Sequence, residues 1–337
     1  MGGGNGLSTL LRGLKDYAQS PFYESGKKLS PAVDVTAIVT VTDDGGSSGR
    51  LRRDFDVAPP GDIRNCMVAL SEDEALLAKL FQYRFDSGHG LKGHSFGNLF
   101  LTALTAVTGD FPKAVKFSSE VLAIVGRIYP STKSNVTLKA RLADGKEVAG
   151  ETRISRSKTR IEKISLSPSG CRPMKGALES IASADLITLG PGSLFTSVIP
   201  NLLVGGIPKA IAESAALKAC FVNLMWQPGE TMNFSAYDHV RAINRHARRS
   251  LLDYVVVNTR PISGALRQRY AAEKVFPVEN DTPRIEEAGI KVVGASLLAR
   301  ADKVRHDPSA VAAIAVRLAE EGRRRRLSPG ERGSAGA

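Results

Sequence analysis

Cysteine is scarce: Cys66, Cys171 and Cys220 are an odd, scattered set. They exclude a disulfide framework and a CxxC metal pair, and they fit a reducing, cytoplasmic setting. Long apolar runs are missing too. The richest, LFLTALTAV at 99–107, falls well short of the roughly 20 residues that span a bilayer. The first residues lack the charged-then-apolar pattern of a secretory signal, so no membrane insertion is expected. There is no HExxH or similar signature, so no zinc centre is expected. Aromatic residues make up only 6%. With no recognised nucleic-acid motif, no specific nucleic-acid partner is expected. Acidic residues are outnumbered, 34 against 46 basic ones, for a net charge of +12. That excess favours anionic partners such as nucleotides and sugar phosphates. Part of it is local, because Arg323–Arg326 adjoin a Ser/Pro/Gly/Ala tail that reads as a solvated or disordered end.

What is present is an α/β texture. VDVTAIVTVT (33–42), ADLITLG (184–190), ACFVNL (219–224) and DYVVVN (253–258) are apolar throughout, as strands buried on both faces are. Helical spacing covers 7–18, 73–85 and 97–107, and the last of these reads as packed on both sides. Residues 126–170 differ: alternating segments flank the Asp144-Gly145 turn, predicting an inserted antiparallel β segment in which EVAGETRI is a strand. We expect a Rossmann-like, doubly wound, mostly parallel sheet in two halves, 1–125 and 171–310, around that insertion. A C-terminal helix and basic tail fill 311–337. Ligands in such sheets bind beyond the carboxyl ends of the strands, so polar and glycine clusters placed there are site candidates.

Five clusters qualify, MGGGNGLST, DDGGSSG, LGPGSLFTS, NLMWQPGET and NTRP, and PPGDIRN and GHSFGN add candidates between them. MGGGNGLST has four glycines within six residues, with Gly3, Gly4, Asn5 and Gly6 able to approach a phosphate ahead of a helix. It does not match GxGxxG, and an unstructured terminus is the other reading. DDGGSSGRLRRDF supplies Asp43, Asp44, Gly45, Ser47, Ser48, Arg50 and Arg53. Alternation sends Asp43 and Asp44 apart, leaving one for a ribose hydroxyl or a metal-bridged phosphate, while Arg50, Arg52 and Arg53 are a candidate phosphate clamp. A solvated basic turn is the alternative. PPGDIRN adds Asp62, Arg64 and Asn65, with Asp62 also a candidate helix cap. GHSFGN places His94 and Asn98 on one helical face for substrate contact, or His94 as a satisfied core residue. LGPGSLFTS offers Gly190, Gly192, Ser193 and Thr196, the hydroxyls for phosphate or sugar; it is not GxSxG. NLMWQPGET brings Asn223 and the sole tryptophan, Trp226, which either stacks on a base or closes the pocket. Asp238 and His239 read as a solvated helix face.

Taken in order, GGGNGLSTLLRGL, VTVTDDGGSSGRLRRDF, PPGDIRNCMVAL, FQYRF, GHSFGNLFLTAL, LGPGSLFTSVIPNLLV, NLMWQPGET and DYVVVN resemble the gluconeogenesis factor family, over roughly residues 1–310. That family is related to the 2-phospho-L-lactate transferases of deazaflavin coenzyme synthesis. The resemblance implies a cytoplasmic protein that binds a UDP-sugar such as UDP-N-acetylglucosamine and acts in cell shape and carbon-source-dependent growth. It implies Tyr270 and Arg305 as ligand contacts. The alternative it carries is a transferase of phosphorus-containing groups using a nucleotide donor and Mg²⁺ held by Asp43 or Asp44. DDGGSSG and LGPGSL depart from the transferase versions and favour the UDP-sugar branch. Pro308 stands where relatives carry a phosphorylatable threonine, so modification there is not expected. The resemblance also implies a buried strand directly ahead of the glycines. We therefore expect the chain as given to start late within that unit, through a misassigned start or a truncation, and to gain thermal stability from restored upstream codons. A homo-oligomer is expected.

Overall fold

The structure is a computed structural model and describes residues 1–18, 23–24, 27–28, 33–72 and 75–327. Helix α1 (Gly4–Ala18) is followed by a short antiparallel pair, β1 (Tyr23–Glu24) and β2 (Lys27–Lys28), and by β3 (Thr36–Val39). Five helices come next: α2 (Gly46–Phe55), α3 (Gly61–Leu70), α4 (Ala75–Gln82), α5 (Phe96–Thr108) and α6 (Phe111–Val121). Strand β4 (Arg127–Pro130) then pairs parallel with β3. The antiparallel unit therefore begins later than residue 126. It consists of β5 (Thr137–Leu142), β6 (Glu147–Ala149) and β7 (Ile161–Ser167), in the order β6-β5-β7. Within EVAGETRI only 147–149 is a strand, because Glu151–Ser155 turns into a short helix, α7.

The second half resumes the α/β alternation with α8 (Lys175–Ser183) and β8 (Leu186–Leu189), then a π-helical turn at Leu194–Val198 running into α9 (Ile199–Leu202). After α10 (Ile207–Glu213), β9 (Leu217–Phe221) and α11 (Ala236–Ala247) come β10 (Tyr254–Asn258), α12 (Gly264–Ala272), α13 (Thr282–Glu287), β11 (Lys291–Ala295) and α14 (Pro308–Leu327). Strands β11-β10-β9-β8 are parallel throughout. The expected architecture of parallel strands covered by helices, plus one antiparallel insertion, is the observed one.

Met1 and Gly2 join the two halves of the sheet. Gly2 N–H donates to the Ile38 carbonyl (3.1 Å) and Thr40 N–H to the Gly2 carbonyl (3.0 Å). On the other side the Met1 amine donates to the Thr188 carbonyl (2.6 Å) and Gly190 N–H to the Met1 carbonyl (3.0 Å). The loop after Gly2 therefore starts from between β3 and β8, in the middle of the sheet. Burial in that position pushes the Met1 amine down to about 5.

Helix α14 packs along α1 and against the start of β8, with one glycine contact at each. A methyl on Gly13 would overlap the Pro308 carbonyl, and one on Gly322 would overlap the Asp185 carbonyl. The basic run is part of this helix. Arg326 pairs with Asp185 (2.8 Å) and Arg325 with Glu321, so it is not a free end up to Leu327; residues 328–337 lie outside the described ones. Among the described residues no single helix is long and apolar enough to cross a membrane.

Candidate functional site

The glycine string is not a long loop. Only Gly2 and Gly3 precede α1, and Gly4, Asn5 and Gly6 form its first turn. Close approach explains the glycines. A methyl on Gly3 would overlap the Asp62 carboxylate, and one on Gly6 would overlap the carbonyl of Pro191 and the backbone of Gly192. Gly190 (φ +79°) and Gly192 (φ +152°) make the facing turn, in a backbone region that only glycine enters freely. Asn5 lies to one side, lining a cavity of about 470 Å³ with Arg12, Arg64, Asn65 and Arg84.

DDGGSSG is helical from Gly46 onward, which places Ser47 and Ser48 in the buried first turn of α2. Ser47 Oγ lies 3.1 Å from His94 Nδ1, and Asn98 Nδ2 donates to Ser48 Oγ (3.3 Å). Ser95 caps α5, accepting from Asn98 N–H (3.2 Å). His94 precedes the helix rather than sharing its face, yet both residues reach α2. Gly61, at the start of α3, fits against Asp43 and Ser48, where a methyl would not. Asp62 does not cap α3: no side chain caps that helix, and the Asp62 carboxylate takes a backbone hydrogen bond from Gly4 instead. The first turns of α1, α2, α3 and α5 therefore meet in one place.

Asp43 and Asp44 diverge, as alternation requires. Asp43 Oδ1 accepts from Gly45 N–H (2.9 Å) on the α3 side, whereas Asp44 Oδ1 accepts from Thr152 N–H (2.8 Å) in the insertion. Arg52 is bound to the insertion as well, donating to the Val136 carbonyl (2.6 Å) and Thr137 Oγ1 (3.0 Å). Arg50 donates to the Lys92 carbonyl (2.9 Å) and Arg53 is exposed on α2. The three arginines thus do not form one clamp. Arg64 donates to Asn65 Oδ1 (2.6 Å), and burial lowers its pKa, with Arg84 adding to the effect.

Carboxylates crowd this region. Burial raises the pKa of Asp43, takes Asp62 to about 7 and takes Glu151 to about 9, and the neighbouring acids push in the same direction. Three buried polar atoms here have no partner among the described residues: Arg64 Nε, Asn98 Oδ1 and Glu151 Oε2.

The 190–197 turn meets an acid that sequence reasoning passed over. Glu230, 5% exposed, accepts from Phe195 N–H (3.1 Å), Thr196 Oγ1 (3.0 Å) and Ser155 Oγ (3.2 Å), and burial raises its pKa. Thr196 is therefore turned away from any phosphate or sugar. Gln227 donates to Ser193 Oγ (2.7 Å) and accepts from Asn223 Nδ2 (2.9 Å). Glu230 and Gln227 both sit in QPGET, and that string was the available signal. Glu151 and Ser155 carried none, because the insertion reads as scaffold. Trp226 donates Nε1–H to the Phe234 carbonyl (3.1 Å) and meets Phe276 edge-on, so it closes a wall. His239 is buried, with Nδ1 on the Ser235 carbonyl (2.8 Å), and Asp238 completes a capping box with Ser235. His239 is therefore not on a solvated face, whereas Asp238 stays part-exposed and pairs with the exposed Arg241 (3.4 Å).

Tyr270 and Arg305 stand apart from the carboxylates, beyond β9–β11. Tyr270 Oη accepts from Val304 N–H (3.2 Å), while Arg305 is exposed and its carbonyl accepts from Ala299 N–H (2.9 Å). His306, next in sequence, reaches the Val222 backbone beside Asn223, and burial lowers it to about 4.

Helix N-termini, glycine turns and buried acids gathered beyond the ends of parallel strands define a Rossmann-like α/β protein. The chain belongs to the CofD family: the family model described as 2-phospho-L-lactate transferase CofD matches residues 1–298. It is 43% identical over 321 residues to the "Gluconeogenesis factor" of Bacillus subtilis, covering 95% of this chain and 97% of that one. The "Gluconeogenesis factor" of Halalkalibacterium halodurans is 44% identical over 311 residues, 92% of each. A longer Nostoc relative is 48% identical over 318 residues, of which this chain spans 66%. A crystal structure of a UPF0052 family member from Bacillus halodurans superposes with a TM-score of 0.87 at 43% identity, over 94% of this chain and 97% of that one.

Proposed function

We propose that the chain binds a UDP-sugar of the UDP-N-acetylglucosamine kind and acts in the cytoplasm as a gluconeogenesis factor, in cell shape and growth on gluconeogenic carbon sources. The meeting of four helix N-termini, those of α1, α2, α3 and α5, carries this reading. Their aligned dipoles, and the first-turn N–H groups not already taken by Asp62 and Ser95, favour an anion. Asn98 Oδ1 and Arg64 Nε, unpartnered beside them, are available to a ligand. Tyr270 and Arg305 are assigned to the sugar-nucleotide on the family resemblance, across the neighbouring strand ends.

Asp43, and Asp62 once it ionises above about 7, would repel a diphosphate, and Mg²⁺ answers that conflict. No three acidic, histidine or cysteine side chains among the described residues are grouped to hold a metal. The donor set still fits Mg²⁺, which ordinarily takes one or two carboxylates and completes its shell with phosphate oxygens and water. Asp43 or Asp44 is the carboxylate assigned, and bound Mg²⁺ would neutralise phosphate charge. Calorimetric titration with UDP-N-acetylglucosamine, with and without Mg²⁺, tests the reading. Binding that strengthens with Mg²⁺ and weakens in Asp43→Asn is expected, and no heat at millimolar ligand would sink it.

The CofD match supports a second reading, a transferase of phosphorus-containing groups. Asp62, held at about 7, is poised as a proton acceptor near neutrality. Product formed from a deazaflavin and a nucleotide-lactate donor would favour this reading; no product would remove it.

A further inference from the structure

Asn5, Ser8, Arg12 and Lys15 recur along α1 at spacings of three and four, which turns them to one side of the helix. They line the cavity of about 470 Å³ that α1 shares with Arg64 and Asn65 of α3 and with Arg84, just after α4. From Asn5 to Lys15 is about 15 Å of helix. The cavity therefore starts at the first turn of α1 and runs down its flank, away from the strand ends. Among the described residues no acidic side chain lines it. Arginines elsewhere do have acids: Arg127 pairs with Asp34, Arg325 with Glu321 and Arg326 with Asp185. Here Arg12 has no partner among the described residues, and Arg84 spends only Nη1, on the Gly93 carbonyl (2.6 Å). Arg64 is the telling case. Its Nη2 donates to Asn65 Oδ1 (2.6 Å), but its buried Nε–H has no acceptor. A basic face in bulk water carries no such cost; a buried charged donor left unpaired does.

We propose that this cavity is a second ligand site, for a small metabolite that carries two or more phosphate groups. Guanidinium forks match phosphate oxygens through paired N–H donors. Arg12, Arg64 and Arg84 come from three different segments, so they close on a small ligand from separate sides. Asn65, its oxygen taken by Arg64, adds Nδ2 as a further donor, and Lys15 bounds the far end, held on the Ser71 carbonyl (3.3 Å). A single phosphate cannot engage all three guanidinium groups at once, which sets the preference for two. The volume lies within the range of small-molecule pockets, about 300–1,000 Å³. Arg64 forms the wall between this cavity and Asp43 and Asp62, whose charges it feels. On the cavity side an anion meets donors without those acids, so no metal ion is needed to admit it. The site stands whether or not the strand ends hold a UDP-sugar, and the two approach each other at Asn5.

Calorimetric titration of the whole protein with inorganic pyrophosphate, in the absence of Mg²⁺, should show binding about tenfold or more tighter than that of inorganic phosphate. Arg12→Ala and Arg84→Ala should each weaken pyrophosphate about tenfold with an unchanged circular dichroism spectrum. Both variants should leave titrations with UDP-N-acetylglucosamine as they are in the wild type, and Arg305→Ala should leave pyrophosphate binding unchanged. Because the two ligands are titrated separately, a protein that ignores UDP-N-acetylglucosamine still reads out the arginine effect on pyrophosphate. No heat with pyrophosphate at millimolar concentration overturns the proposal. So does binding indifferent to Arg12→Ala and Arg84→Ala, which would assign the ion to the helix N-termini at the strand ends. Equal affinity for sulfate, phosphate and pyrophosphate overturns it as well, and citrate binding more tightly than pyrophosphate would replace phosphate by carboxylate as the chemistry recognised.

Discussion

Gly6 shows how a single hydrogen in place of a methyl holds this site together. Its Cα faces the Pro191 carbonyl and the Gly192 backbone, neither of which can turn aside as a side chain would. Gly6→Ala should cost about 1–3 kcal/mol, read from urea unfolding, and should weaken nucleotide binding by moving α1 off the 190–192 turn. Glu230 gives a contrasting case. Glu230→Ala strands the Thr196 hydroxyl and Phe195 N–H, at a cost of about 2–3 kcal/mol. Glu230→Gln keeps an acceptor and should stay within about 1 kcal/mol of the native protein. Glu151 makes stability pH-dependent. Its pKa rises from 4.5 to about 9 on folding, so the folded state holds a proton that the unfolded state has released across that window. Its contribution is intact below about 4.5 and is lost as pH climbs toward about 9. Melting temperatures of wild type and Glu151→Gln should coincide near pH 4, with the variant ahead at pH 8; parallel curves would show that Glu151 ionises freely.

Among the elements, α14 rests on two glycine contacts far apart along its length, Gly13 of α1 against Pro308 and its own Gly322 against Asp185. Gly13→Ala and Gly322→Ala should each lower the melting temperature. The two free-energy losses should add within about 0.5 kcal/mol, since the sites share no partner. The buried strands were legible because fully apolar β-branched runs have few alternatives. DDGGSSG was not legible as a helix: three glycines and two serines oppose helix formation locally, and the packing of Ser47 and Ser48 against His94 and Asn98 overrides that preference. EVAGETRI alternates like a strand, but Thr152 N–H bonds to Asp44, which draws the segment into α7. α5 failed in the opposite sense, since its Ala103, Ala106 and Val107 are exposed. Apolar composition was read as burial on all sides, though composition does not say which face has a neighbour.

At the scale of the whole molecule, the parallel sheet brings residues from sequence positions 3, 43, 62, 94, 151 and 190–230 together beyond its strand ends. By itself the sequence determined the α/β class, the family and the five clusters, because strand burial and glycine turns are local and leave local patterns. It also placed Asp43 and Asp44 on opposite sides, by alternation alone. The tertiary structure decided the assembly of the site: that four helix N-termini converge, that Glu151 and Glu230 join the acids, and that Thr196 and Arg52 are committed to protein partners rather than to a ligand. Those outcomes depend on contacts between residues tens to hundreds of positions apart and on the desolvation such packing imposes, which no periodicity within a segment encodes.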